Sequence, residues 1–156
     1  MENKLVIERI VKAPRGKVWS ACSDRAQLQQ WWGQPKGATM PICELDFRVG
    51  GVLYFKVVLP GGEAIWGKSI YKEIVEGERI VMEDHYSNEQ GDMIDSAELP
   101  ASTITLTLED VEGGGEITKL TIVHEGIGIG IHTIEQYKEG WAQVLDRLEE
   151  TLSVKK

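Results

Sequence analysis

Residues 133–154 read TIEQYKEGWAQVLDRLEETLSV, and the apolar positions Ile134, Tyr137, Trp141, Leu145, Leu148 and Leu152 recur at intervals of three and four. That is the period of a helix carrying one apolar stripe. At about 1.5 Å per residue such a helix spans about 33 Å, enough to cross a sheet. Gly140 weakens it by about 0.5 to 1 kcal/mol relative to alanine, which predicts close backbone approach beside Trp141.

A stripe of that length needs a sheet face to bury it, and the upstream chain supplies one. From Pro41 the apolar period becomes two, predicting strands over 42–49, 52–59, 64–75, 79–86, 103–110 and 117–125. The separators are Gly50-Gly51, Pro60-Gly61-Gly62, Glu76-Gly77 and Gly113-Gly114-Gly115. Glycine accepts the positive φ that tight hairpins require, so consecutive strands should pair antiparallel. The stretch 87–101, SNEQGDMIDSAELPA, is polar and acidic and reads as a long solvated loop.

Ahead of these strands, 5–12 (LVIERIVK) is a further strand ended by Ala13-Pro14. Residues 14–23 place Val18, Trp19 and Cys22 on one helical face, Asp24 offers an N-cap for a second short helix over 25–32, and Gly33 stops it. The layout is strand, two short helices, six strands, long helix: an α+β protein whose sheet must curl around its last helix and leave a cavity between them.

The chain has 156 residues, which fits one domain over 1–156, and its 42% hydrophobic and 27% charged content suits a globular core without metal or disulfide staples. The net charge of −8 argues against nucleic-acid binding. Residues 1–36 hold seven basic and three acidic side chains, a net +4 against −12 for the rest, which reads as a solvated surface of mixed charge. Cys22 and Cys43 form no C-x-x-C and read as buried thiols. No apolar run approaches a membrane span, and MENKLVIERI lacks a signal peptide's apolar stretch, so neither a membrane role nor export is expected and the location predicted is the cytoplasm.

Ala13-Pro14 followed by Val18-Trp19, then Trp31-Trp32-Gly33, Asp46-x-Arg48-x-Gly50-Gly51, Glu73-Ile74 ahead of Glu78-Arg79-Ile80-Val81, His124-Glu125-Gly126, and Gly140-Trp141 with Leu145 and Leu148 stand in a specific order. In that order the chain resembles the bacterial relatives of the heat shock protein 90 ATPase activator, within the START-like or SRPBCC superfamily. Two departures touch local geometry: Gln34 stands between Trp31-Trp32-Gly33 and Pro35, and Ser69 and Gly77 occupy places where the family usually has glycine and proline. The resemblance implies a helix-grip fold like that of the birch-pollen allergen, a seven-stranded antiparallel sheet gripping the C-terminal helix, often with a cavity for an apolar ligand. It does not imply one activity, since superfamily members bind lipids, hormones or polyketides, some are cyclases or hydrolases, and the eukaryotic namesake binds a chaperone.

The candidate ligand-binding residues are Trp32, Phe55, Trp66, Met82, Tyr86, His124, Tyr137 and Trp141, which should converge beside the long helix as an apolar pocket with a few polar tips. Alternation places His124 and Asp84 on the inward face, where they are weak candidates for an acid and base pair, although no nucleophile has elbow or triad spacing. Asp46 and Arg48, two residues apart on a strand, read as an ion pair organising the Gly50-Gly51 turn, with substrate anchoring by Arg48 as the alternative that burial would decide. His85, His124 and His132 lack metal-ligand spacing, so no metal is expected, and the connector 125–132 (EGIGIGIH) lacks a phosphate-loop motif, so no cofactor is expected. The function expected is binding of a small hydrophobic or aromatic molecule. A chaperone-interaction module and a cyclase or hydrolase are the alternatives, and a homodimer is left open.

Overall fold

The structure is a computed structural model and describes residues 3–111, 115–128, 130 and 132–153. Strand β1 (Lys4–Val11) leads into helices α1 (Arg15–Ser23) and α2 (Arg25–Leu28). Strands β2 (Thr39–Leu45), β3 (Val52–Val58), β4 (Ala64–Val75), β5 (Arg79–Ser87), β6 (Met93–Ile94), β7 (Ser102–Asp110) and β8 (Thr118–Glu125) follow, and α3 (Ile134–Ser153) ends the chain. Seven long strands form one antiparallel sheet in the order β1-β8-β7-β5-β4-β3-β2, and the two-residue β6 pairs with the end of β5. This is the α+β arrangement expected, a curled sheet around a long C-terminal helix.

Alternation builds the inner face. Leu53, Phe55 and Val57 of β3, Ile80 and Met82 of β5, Ile104, Leu106 and Leu108 of β7, and Leu120 and Ile122 of β8 are buried. A register shift in the β4–β5 pairing between Tyr71 and Glu73 marks a bulge, which bends the sheet and increases its local twist. Helix α3 starts at a capping box: Gln136 N–H donates to Thr133 Oγ1 at 3.1 Å, and Thr133 N–H donates to Gln136 Oε1 at 2.7 Å. Its stripe buries Trp141, Val144, Leu145 and Leu148. Arg147 fixes its far side by donating to Gln30 O at 3.0 Å and Ala38 O at 2.7 Å. The sheet's other edge closes onto α3 where Arg9 of β1 pairs with Asp146 and Glu149 at 3.0 and 2.9 Å.

Several expectations change. The helix predicted over 25–32 ends at Leu28, and 29–33 are turns that finish at Gly33, φ +65°. Its start is as read, with Gln27 N–H donating to Asp24 Oδ2 at 3.2 Å. The turns aim Trp31 inward, where it is fully buried and its indole N–H donates to Ala21 O at 2.9 Å. The strand predicted over 42–49 runs instead over Thr39–Leu45, so Asp46 and Arg48 lie in the turn that follows. The segment 87–101 is not wholly solvated, because β6 interrupts it. Of the last glycine turn, Gly113 and Gly114 lie outside the described residues, as do Ile129 and Ile131 of the connector and Val154 of the predicted helix.

The two departures from the resembled pattern find local explanations. Gln34 is buried and donates from Nε2 to Gln29 O at 2.7 Å, closing the turn after Trp32. Gly77 adopts φ +76°, which a proline ring forbids. Gly140 is a correction: among the described residues outside its own helix turn, a Cβ there would meet nothing within 4 Å, so no neighbouring backbone approaches it closely. Gly140→Ala should therefore raise stability by about 0.5 to 1 kcal/mol through helix propensity, read as a shift in urea midpoint at unchanged m-value. A fall in stability would mean that the open space is not there.

Candidate functional site

The space beside Gly140 belongs to a cavity of about 690 Å³ between the inner sheet face and α3. Strands β3, β4, β5, β7 and β8 contribute Phe55, Gly67, Asp84, Tyr86, Ile104 and His124. Helix α3 contributes Tyr137, Gly140, Trp141 and Val144, and the turn after α2 contributes Trp32 and Gly33. Trp32 and Trp141 meet edge to face with ring centroids 5.7 Å apart. Gly67 is set opposite Phe55 in the register, and a Cβ at Gly67 would sit 2.3 Å from the Phe55 ring. Phe55 thus lies across the bare backbone of its neighbour strand and forms the wall there.

Of the expected residues Met82 falls elsewhere, and Trp66, though part of the lining, does not come from the inner face. Trp66 pairs in register with Lys56, stacks on Tyr54 at 5.7 Å and lies under Lys56 Nζ at 5.2 Å. Those neighbours alternate with the buried Phe55 and Val57, so the Trp66 indole is on the outer face and only borders the cavity rim. The inner position beside it is filled by Phe55 from the adjacent strand. Met82 is inward and buried, but it pairs with Tyr71 and Ile104 in the core and does not line the cavity.

His124 lies on the inner face, as its alternation predicts, and both ring nitrogens are engaged. Trp141 Nε1–H donates to Nδ1 at 3.0 Å, which leaves the proton of the neutral ring on Nε2, where it donates to Ser102 Oγ at 2.8 Å. Burial holds the imidazole down at about 4, so it is neutral at physiological pH. The expected acid and base pair therefore does not form a direct hydrogen bond. Asp84 instead accepts from Ser69 Oγ at 2.7 Å. Burial pushes this carboxyl up to about 6, against the smaller opposing effects of the Ser69 bond and nearby His85. The phenols of Tyr86 and Tyr137 face each other at 3.5 Å, and burial with that contact holds Tyr86 well above its ordinary range.

Ser69, Ser102, Gly67 and Gly140 escaped the sequence reading as site residues because their contribution is a partner or a missing side chain. Ile94 and Leu99 also line the cavity. They come from the acidic stretch read as solvated, and their signal was the Met93-Ile94 pair and Leu99 within it. The Asp46–Arg48 pair lies elsewhere, in the turn after β2. Arg48 Nε donates to both Asp46 oxygens, at 3.0 and 2.9 Å, and its side chain is 72% exposed, so it anchors nothing inside the cavity. Among the described residues no group of three or more His, Cys, Asp or Glu is placed to hold a metal ion. No described helix is long and apolar enough to cross a membrane.

A sheet curled around a C-terminal helix, with a chamber between them, defines a helix-grip protein. The chain belongs to the family described as Activator of Hsp90 ATPase homolog 1-like protein, whose model matches residues 12–153. A solved Chromobacterium violaceum protein is similar at 30% identity, with 98% of this chain and 99% of that chain covered and a TM-score of 0.82. The same fold occurs in a Staphylococcus epidermidis protein at 22% identity, covering 100% of this chain and 94% of that one, TM-score 0.81. It occurs again in the AHSA1 protein from Silicibacter pomeroyi at 21% identity, covering 96% and 97%, TM-score 0.77. No curated protein matches the chain.

Proposed function

We propose that this protein binds a small apolar or aromatic molecule in the cavity between the sheet and α3. The observation that carries the reading is the cavity of about 690 Å³ itself, walled by aromatic rings and left open where Gly140 carries no side chain. Ligand sites typically occupy about 300 to 1,000 Å³ and are mostly apolar with a few placed polar groups. Here Asp84, Tyr86 and Tyr137 supply those groups, while His124 is a positioning residue that holds Trp141 in the wall. We place the protein in the cytoplasm, a reading supported by the free thiols of Cys22 and Cys43.

A thermal-shift screen over fatty acids, flavonoids and polyketides, followed by calorimetry, tests this. At least one compound should bind saturably, and Gly140→Leu, which puts a side chain into the open space, should weaken it at least tenfold while the helix persists. Failure across the library, or binding indifferent to Gly140→Leu, overturns the reading.

The family's description favours a second reading, contact with a chaperone through the protein surface. Co-purification with a bacterial chaperone and stimulation of its ATPase would support it, and no binding at tens of micromolar would dismiss it. The cyclase or hydrolase alternative has less support, because both His124 nitrogens are committed to Ser102 and Trp141.

A further inference from the structure

We infer that the cavity selects an apolar amine, its protonated nitrogen paired with the Asp84 carboxylate and its apolar body laid against Trp32, Phe55, Tyr86 and Trp141. The inference rests on the cavity being a ligand site, as proposed above, and adds the ligand's charge.

Among the described residues that line the cavity, the carboxylates, Glu63 and Asp84, have no lysine or arginine beside them. Of the three histidines in the lining, His124 is neutral and spends both nitrogens on Ser102 and Trp141. His85 bonds Glu83 through Nε2 at 2.9 Å, and His132 packs its ring near Tyr86 and Tyr137. Among the described lining residues, an anionic ligand would meet two carboxylates and no lysine or arginine.

Asp84 is also incompletely used. An ionised carboxylate offers about four acceptor sites. Among the described residues it receives one hydrogen bond, from Ser69, and enters no ion pair. A buried charge without a counter-ion is costly, and an ammonium supplied by a ligand would relieve that cost with a charge-assisted hydrogen bond. The aromatic walls act in the same direction, because ring faces attract cations and do so more strongly when desolvated. A neutral alcohol of the same shape would gain the apolar contact and an ordinary hydrogen bond, and an amine gains the charge as well.

Three isosteric probes separate these contributions: 2-(1-naphthyl)ethylamine, 2-(1-naphthyl)ethanol and 1-naphthylacetate, titrated by calorimetry at pH 7.5. The wild type should bind the amine at least tenfold more tightly than the alcohol and should bind the carboxylate most weakly. Asp84→Asn should abolish the amine's advantage and leave the alcohol within about twofold, whereas Glu63→Gln at the rim should change the ratio less than threefold. An alcohol that binds as well as the amine, or an advantage that survives Asp84→Asn, overturns the charge assignment and leaves the cavity reading standing. Failure of all three probes to bind overturns the amine assignment, and the library screen above then decides the cavity reading separately.

Discussion

Asp84→Asn should make the protein more stable at pH 7.5, by about 2 to 3 kcal/mol, and this gain should vanish near pH 4. The carboxyl stands at about 6 in the folded protein against an ordinary 3.8, raised chiefly by burial. A group raised in this way contributes stability that is fully present below 3.8 and is lost as pH rises through 6. The asparagine amide keeps an oxygen for Ser69 and carries no charge to bury, so it escapes that loss. His124 has the reverse linkage. Its ring stands at about 4 against an ordinary 6.5, so its contribution is fully present above 6.5 and is lost as pH falls through 4.

The two titrations therefore oppose each other across the same interval, each by about 3 kcal/mol, and the wild type should show a shallow pH dependence there. Each single variant unmasks the other group. Asp84→Asn should lose stability steeply between pH 6.5 and 4, and His124→Gln should gain stability as pH falls from 6 to 4. Urea unfolding of the three proteins at half-unit pH steps reads this directly. A difference between wild type and Asp84→Asn that stays flat from pH 4 to 7.5 would refute the assignment. If it holds, the chain retains in the cavity wall a carboxylate that lowers its stability, which is what a binding group costs a fold.

How far such features are legible in the sequence depends on whether they are local. Alternation set Phe55, Asp84, Tyr86 and His124 on the inner face, because period two is a property of each strand alone. The stripe of α3 and the Asp24 cap were readable for the same reason. Trp66 was not, since the β3–β4 register sets Gly67 inward against the Phe55 ring and Trp66 outward beside Lys56. Met82 shares the inner face but is buried between Tyr71 and Ile104 of the neighbouring strands, a placement set by cross-strand register. The partners of Asp84 and His124 also come from other strands, Ser69 on β4 and Ser102 on β7, through registers that no single segment contains. Gly140 reads the same whether it admits a neighbour or opens a chamber.

The second large effect is expected from Gly51→Ala, a loss of about 3 kcal/mol and so about 10 °C in Tm. The turn that follows β2 is held by backbone: Arg48 N–H donates to Asp46 O at 3.0 Å, Gly51 N–H to Arg48 O at 2.7 Å, and Asp46 N–H to Val52 O at 3.1 Å. It is then tied to β4, with Gly50 N–H donating to Tyr71 O at 2.8 Å and Tyr71 N–H to Gly51 O at 3.0 Å. A Cβ on Gly51 would stand 2.0 Å from Asp46 O and 3.0 Å from Arg48 O. Both obstacles are backbone, so relief requires breaking the turn and with it the link to Tyr71, which is 1% exposed and edge-on to Phe47 at 5.1 Å. The Asp46–Arg48 ion pair over the same turn is exposed, and exposed pairs contribute about 0 to 1 kcal/mol. Arg48→Ala should therefore cost less than a third of what Gly51→Ala costs, measured by thermal and urea unfolding side by side. Equal losses would assign the turn to its ion pair, and a Gly51→Ala protein as stable as the wild type would remove the steric argument altogether.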